Sequence, residues 1–229
     1  MAEVDLVLSA SSRPHPTTRL AAIVLATCLG CLAAVAAAQD HADHSAHEMA
    51  LQKPTHEVSL GRMSIPDAEL LDQDGNRLHF YRDLIEDRVV AINFIFTTCT
   101  TICPPMGANF SRLQKLMGER VGRDFEMISV SVDPAVDTPA RLKAWSRKFG
   151  AQPGWTLVTG PKPDVDRVLK ALKVFTPDKT DHSPIVLVGN DARGEWTRTY
   201  GLAPAGDLGQ LIDRMIHDDG SDPAEGESR

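Results

Sequence analysis

The apolar positions of this chain fall into strand-like runs and helical stripes that alternate from about residue 60 to residue 216. RVVAINFIF, residues 88–96, is a continuous apolar run of strand length, suited to a buried central strand. Met106, Phe110, Leu113 and Met117 then recur at helical spacing. They stand behind Pro104 and Pro105, residues a first helical turn tolerates, and ahead of Gly118. FEMISVSVD, residues 125–133, reads as a second strand. Asp137-Thr138-Pro139 opens a second helix with an N-cap residue and a proline just inside; Leu142, Trp145 and Phe149 give it an apolar face and Gly150 stops it. WTLVTG predicts a short strand and residues 163–172 a helix. PIVLVG, residues 184–189, pairs across Asp191–Gly194 with EWTRTYG as a hairpin. Leu208, Leu211, Ile212 and Met215 form a last amphipathic stripe. Ahead of all this, SIPDAELLDQDGNRLHF sets Asp74-Gly75 between apolar segments, another hairpin signal.

Strands alternating with helices predict an α/β fold with a central mixed sheet flanked by helices, preceded by an N-terminal β-hairpin extension. A thiol pair, Cys99 and Cys103, follows the first buried strand and leads into a helix. Thioredoxin-like folds keep their cysteines at that place, so the expected fold is thioredoxin-like.

The two ends of the chain follow other patterns. Arg13 and Arg19 precede an uncharged run, residues 20–38, that closes on Ala36-Ala37-Ala38. A positive region, an apolar region and a small-residue end make residues 1–39 a signal peptide, or an inner-membrane anchor if they are retained. Either way the remainder is exported, which in a bacterium means the periplasm. Residues 40–56 carry DHADHSAHEM, with His41, His44 and His47 at every third position. They read as a flexible His-rich linker, with a metal-collecting arm as the sharper alternative. Residues 57–217 form the expected domain. Residues 218–229, DDGSDPAEGESR without its preceding helix, are acidic and rich in Gly, Pro and Ser, and are expected to be disordered.

Composition bounds the function. A formal charge of −7 and the lack of a basic run argue against a nucleic-acid surface. Cys28 and Cys31 lie in the leader, so an exported domain keeps only Cys99 and Cys103 of the four cysteines. In an oxidising compartment such a pair is a disulfide unless it is reduced on purpose or metallated. At the start of a helix, backbone N–H groups and the helix dipole favour anionic sulfur. The C-x-x-x-C spacing is one residue wider than C-x-x-C. It can close as a disulfide or open as a two-sulfur clamp for a thiophilic metal, Cu(I) first and Zn(II) second. Two thiolates leave a metal short of ligands. His56, His79, His182 and His217 are the candidates for a third, and spacing alone does not choose among them.

Three segments resemble the Sco/SenC family: FTTCTTICPPM, SVDPAVDTP and DHSPIVLVGNDARGEW. They match that family's C-x-x-x-C-P, D-P-x-x-D-T-P and D-H-S signatures in order, over about residues 57–216. The resemblance implies a thioredoxin-like, exported or membrane-anchored copper protein that helps assemble the dinuclear copper centre of cytochrome c oxidase. It places copper ligands on Cys99, Cys103 and His182. The expected cargo is copper, as Cu(I) or Cu(II). The expected partners are the oxidase copper-centre subunit and other periplasmic copper carriers or thiol–disulfide reductases. Thr100 departs from the pattern, because many members have proline after the first cysteine.

The leading expectation is therefore a metallochaperone rather than an enzyme. The alternative is a thiol–disulfide oxidoreductase that reduces the target's copper-ligand cysteines. A thiol peroxidase would want an arginine beside its cysteine, and none lies near this loop in sequence. Around the site, Asp137 is expected to cap its helix and Asp133 to end its strand in a turn. Asp181 would orient the His182 ring. Met106 reads as core, with an axial-ligand role as the alternative, and Trp145 and Trp155 read as core.

Overall fold

The structure, a computed structural model, describes residues 57–217. The leader, the histidine arm and the acidic tail lie outside the described residues. Among the described residues no helix is long and apolar enough to cross a membrane.

One sheet of eight strands runs through the domain in the order β1-β8-β7-β4-β5-β6-β2-β3. Its centre is β4 (Val89–Ile95), buried at every position as its unbroken apolar run requires. β5 (Glu126–Ser131) and β6 (Trp155–Thr159) extend it in parallel, and β7 (Ile185–Asn190) and β8 (Glu195–Tyr200) pair antiparallel on the other side. The expected mixed α/β sheet is thus present. The hairpin β2 (Glu69–Asp72) and β3 (Arg77–His79) turns at Gly75, whose φ of 85° suits glycine, and joins the sheet edge through β6. Two elements escaped the sequence pattern. β1 (Val58–Ser59) is a two-residue partner of β8, and α1 (Phe80–Leu84) is one short turn after β3.

Adjacent β4 residues point to opposite faces of the sheet, which gives the domain two cores. Val90, Ile92 and Phe94 pack with Phe80 of α1 and with Val165, Val168 and Leu169 of α4 (Lys162–Ala171). Val89, Ala91 and Ile95 pack instead with α2 (Cys103–Met117), α3 (Pro139–Phe149) and α5 (Ala205–His217). The close approach of α2 to α3 depends on Gly107, where a Cβ would stand 2.6 Å from the Trp145 ring. Met106 is fully buried and its methyl end abuts Gly201, so it is a core residue; Trp145 and Trp155 are core as well.

Candidate metal and thiol site

The cysteine loop hangs between the carboxyl end of β4 and the amino end of α2. The Cys99 N–H donates to the Phe96 carbonyl at 3.1 Å, which curls the loop back on itself. Cys103 is the first residue of α2, with Pro104 and Pro105 filling the turn after it. Its N–H donates to the Cys99 sulfur at 3.4 Å, so the helix start points a backbone donor at that sulfur. Both cysteines are free thiols here, Cys99 half-buried and Cys103 wholly buried.

Their environments drive the two thiols apart. Burial pushes Cys99 up, but hydrogen bonds with the Cys103 thiol, the Cys103 and Thr101 N–H groups and the Thr101 hydroxyl outweigh it and hold Cys99 down at about 7. For Cys103, burial and the hydrogen bond it makes to Cys99 both push upward, to about 12. Cys99 is the sulfur open to attack chemistry, and Cys103 is the protected partner.

Two aspartates of the D-P-x-x-D segment hold the loops around this pair. Asp137, 1% exposed, accepts from the Thr97 N–H at 3.1 Å, the Thr97 hydroxyl at 2.5 Å and the Ser131 hydroxyl at 2.7 Å. It therefore ties the root of the cysteine loop to the end of β5. It is not the helix cap: Thr138 takes that place, accepting from the Arg141 N–H, because the helix begins one residue later, at Pro139. Asp133 does turn the chain after β5, its carbonyl accepting from the Val136 and Asp137 N–H groups. Its largely buried carboxylate also pairs with Lys179, 2.5 Å away, and Lys179 lies 5.5 Å from the centre of the Phe96 ring.

Lys179 begins a 3₁₀ turn, Lys179–Asp181, that Asp178 caps and that delivers His182. The His182 side chain is 8% exposed and neither ring nitrogen has a hydrogen-bond partner. Burial holds its pKa down at about 4, so the ring is a neutral imidazole at neutral pH. It packs edge-on against Phe94, ring centres 6.3 Å apart. Asp181 does not orient it; that side chain is exposed, and both ring nitrogens are unpartnered.

Cys99, Cys103 and His182 thus converge on one strand end without forming a closed cluster. Phe94, which the imidazole touches, belongs to one face of the sheet, and Cys103 to the other. Among the described residues no three His, Cys, Asp or Glu side chains stand close enough to share one ion. The other histidines are elsewhere. His79 sits on edge strand β3 with Asp67 at 3.3 Å, His217 is the last residue of α5, and His56 lies outside the described residues. By chemistry, two sulfurs and a neutral imidazole suit a soft or borderline metal.

A groove that sequence reasoning missed opens beside Cys99. It is lined by Thr97, Cys99 and Pro104 on one side and by Arg141, Ala144, Trp145 and Lys148 on the other. No arginine lies near the cysteines in sequence, yet α3 brings Arg141 to the groove that Cys99 lines. The only sequence signal was the i, i+3, i+4, i+7 stripe on that helix.

The SCO1/SenC family model matches residues 63–204, a stretch that includes both cysteines, both aspartates and His182. The chain is 34% identical over 132 residues to a SCO1 protein homolog of Bacillus subtilis, covering 53% of this chain and 66% of that protein. It is 31% identical over 115 residues to a Stutzerimonas stutzeri protein whose name proposes copper binding, covering 50% and 54%. The aligned stretches thus span about two thirds of the first relative and about half of the second. The solved structure of BsSco, described as having a disulfide switch and as a member of the Sco family of cytochrome c oxidase assembly proteins, superposes with a TM-score of 0.58. That superposition has 26% identity and covers 69% of this chain and 96% of the other. The thioredoxin-like fold expected from the sequence is the fold of these Sco structures. On the match to residues 63–204, this chain belongs to the SCO1/SenC family.

Proposed function

We propose that the domain carries copper, held by the Cys99 and Cys103 thiolates and the His182 imidazole, for assembly of the dinuclear copper centre of cytochrome c oxidase. The observation that carries this reading is the orphaned imidazole of His182. Burying a polar ring without a partner costs about 1–3 kcal/mol, and a neutral imidazole with a free lone pair is a metal ligand in waiting. The two sulfurs supply the soft donors that favour Cu(I), in a three-coordinate set. Cu(II) would take a fourth ligand such as water or a carboxylate. Phe94, which the imidazole touches, and Cys103 belong to opposite faces of the sheet, so the three ligands stand apart and the sphere is open. An open sphere of this kind suits transfer, since a recipient ligand enters before a donor leaves. Metal binding also has to displace the Cys103 proton, so affinity rises with pH. The recipient is the oxidase copper-centre subunit, with other periplasmic copper carriers or thiol–disulfide reductases upstream. The leader of residues 1–39 supports export to the periplasm, whether it is cleaved or kept as an anchor. The test is a copper titration of the reduced full-length chain with Cys28, Cys31, His41, His44 and His47 replaced. One equivalent should bind, and His182→Ala should weaken it at least about tenfold. Equal affinity in the variant would overturn the ligand set.

A second reading, thiol–disulfide exchange with the target's copper-ligand cysteines, is favoured by the asymmetry of the two sulfurs. A half-buried thiol at about 7 beside a wholly buried thiol at about 12 is the arrangement of an attacking and a resolving cysteine. Reduction of a disulfide-bonded oxidase copper-site domain by a His182→Ala variant as fast as by the parent would favour this reading over copper carriage.

A further inference from the structure

The groove beside Cys99 has a chemistry that copper binding does not use. Arg141, Ala144, Trp145 and Lys148 fall on one stripe of α3, and all four line it. Cys99 and Pro104 form the opposite wall. The groove is open to solvent and has a volume of about 260 Å³, just under the usual range for small-molecule sites. Arg141 and Lys148 are exposed, and no carboxylate among the described residues pairs with either; Lys148 meets only the Phe149 ring, at 5.4 Å. Elsewhere among the described residues basic side chains do meet carboxylates, as Lys143 does with Asp74 and Lys162 with Asp166, so both groove cations stand free for an external anion. A second cleft continues along the same two helices. It shares Lys148 and adds Arg112, Lys115 and Arg147, again with no acidic residue in its lining.

We infer that this groove is a recognition site for carboxylate-bearing disulfides of peptide size, with Cys99 as the reacting atom and Arg141 and Lys148 as the specificity residues. The inference rests on the reading of Cys99 as the accessible member of the pair. A peroxide would need one cation at the sulfur, whereas two cations two helical turns apart match a longer anion stretched along α3. The Trp145 and Pro104 walls accommodate its apolar part. The chemistry balances as thiol–disulfide exchange. The Cys99 thiolate attacks one sulfur of the ligand RSSR, a Cys99–SR bond forms and RS⁻ leaves. Cys103, after losing its proton to solvent, attacks the Cys99 sulfur; the Cys99–Cys103 bond forms and the second RS⁻ leaves. Two electrons pass from the cysteine pair to the external disulfide. The cations bind the carboxylates of RSSR before the attack and hold them during it.

The test uses the full-length chain with Cys28→Ser, Cys31→Ser and Cys103→Ser, so that the Cys99 mixed disulfide accumulates and is counted by mass. Its formation rate is measured with oxidised glutathione (anionic), hydroxyethyl disulfide (neutral) and cystamine (cationic), without copper. The same rates are taken after Arg141→Glu with Lys148→Glu, and after Lys162→Glu as a control on the opposite face of the sheet. Dividing each variant's rate by the parent's removes differences between leaving groups. The reversed groove should lose about tenfold or more with oxidised glutathione, change little with hydroxyethyl disulfide and gain with cystamine. The control should leave all three near parity. Equal changes across the three disulfides, or the same pattern from Lys162→Glu, would overturn the recognition site while leaving the copper reading intact. No reaction of Cys99 with any of them would remove the inference together with the reading of Cys99 as accessible.

Discussion

The ammonium of Lys179 lies 2.5 Å from the carboxylate of Asp133, joining the loop that carries His182 to the segment that follows β5. The same ammonium sits over Phe96, the residue from which the cysteine loop departs. Four residues after Asp133, Asp137 holds Thr97 of that loop. The D-P-x-x-D segment is thus a two-ended brace, with one carboxylate for each loop of the proposed site.

Breaking the Lys179–Asp133 contact should cost metal affinity more than stability. Lys179 is 36% exposed and Asp133 11%, so solvent still screens the ammonium and the pair contributes on the order of 1 kcal/mol to folding. On the proposed site, Lys179→Met and Asp133→Asn should each weaken copper binding about tenfold, by loosening the loop that presents His182. The double variant should be little worse than either single one. Chelator competition measures the affinity and urea unfolding the stability; fully additive losses would contradict a shared contact.

Asp137 is the opposite case. It is buried and accepts from two hydroxyls and a backbone N–H. Asp137→Ala leaves all three donors unpaired and should destabilise the domain by about 3 kcal/mol or more. Asp137→Asn keeps an acceptor oxygen and should cost clearly less. Urea denaturation of both variants checks the order.

The thiols should titrate separately. In the reduced, metal-free protein, alkylation of Cys99 should rise with a midpoint near pH 7, while Cys103 stays unmodified until far higher pH. Mass mapping of iodoacetamide adducts from pH 5 to pH 9 gives both curves. Coincident midpoints would mean that the two sulfurs share one environment.

His182 gives the fold an acid sensitivity. Its folded pKa of about 4 lies below the ordinary value of 6.5, so the unfolded chain binds more protons in between. Stability from this residue is therefore full above pH 6.5 and is lost as pH falls toward 4, by about 3 kcal/mol at most. Metal-free His182→Phe should lose less stability than the parent between pH 7 and pH 4.5, as read by urea unfolding. Parallel losses would show that the ring is protonated in the native state.

The fold was legible where local pattern and tertiary role agree. The unbroken apolar run of β4, the proline-started helices α2 and α3 and the glycine-turned hairpins each carry their own signal. β1 did not, because two exposed residues become a strand only by pairing with β8. α1 did not, because five residues are too few for a helical period to show. At the site, Cys99 and Cys103 announced themselves by spacing. His182 needed the family resemblance, since its distinguishing property is a buried ring without partners. Asp137 looked like a helix cap because N-cap chemistry and loop bracing use the same residue type. Arg141 and Lys148 were invisible as lining of the groove beside Cys99, because only the packing of α3 on α2 brings them there.

In the proposed site one ion is held by both sulfurs and the imidazole. Copper-edge X-ray absorption on the reduced full-length chain, loaded with one equivalent of Cu(I) and with Cys28, Cys31, His41, His44 and His47 replaced, reads that shell directly. Two sulfur scatterers with one imidazole, the imidazole vanishing in His182→Ala, is the predicted result. A shell of sulfur alone, or one unchanged by His182→Ala, would contradict it.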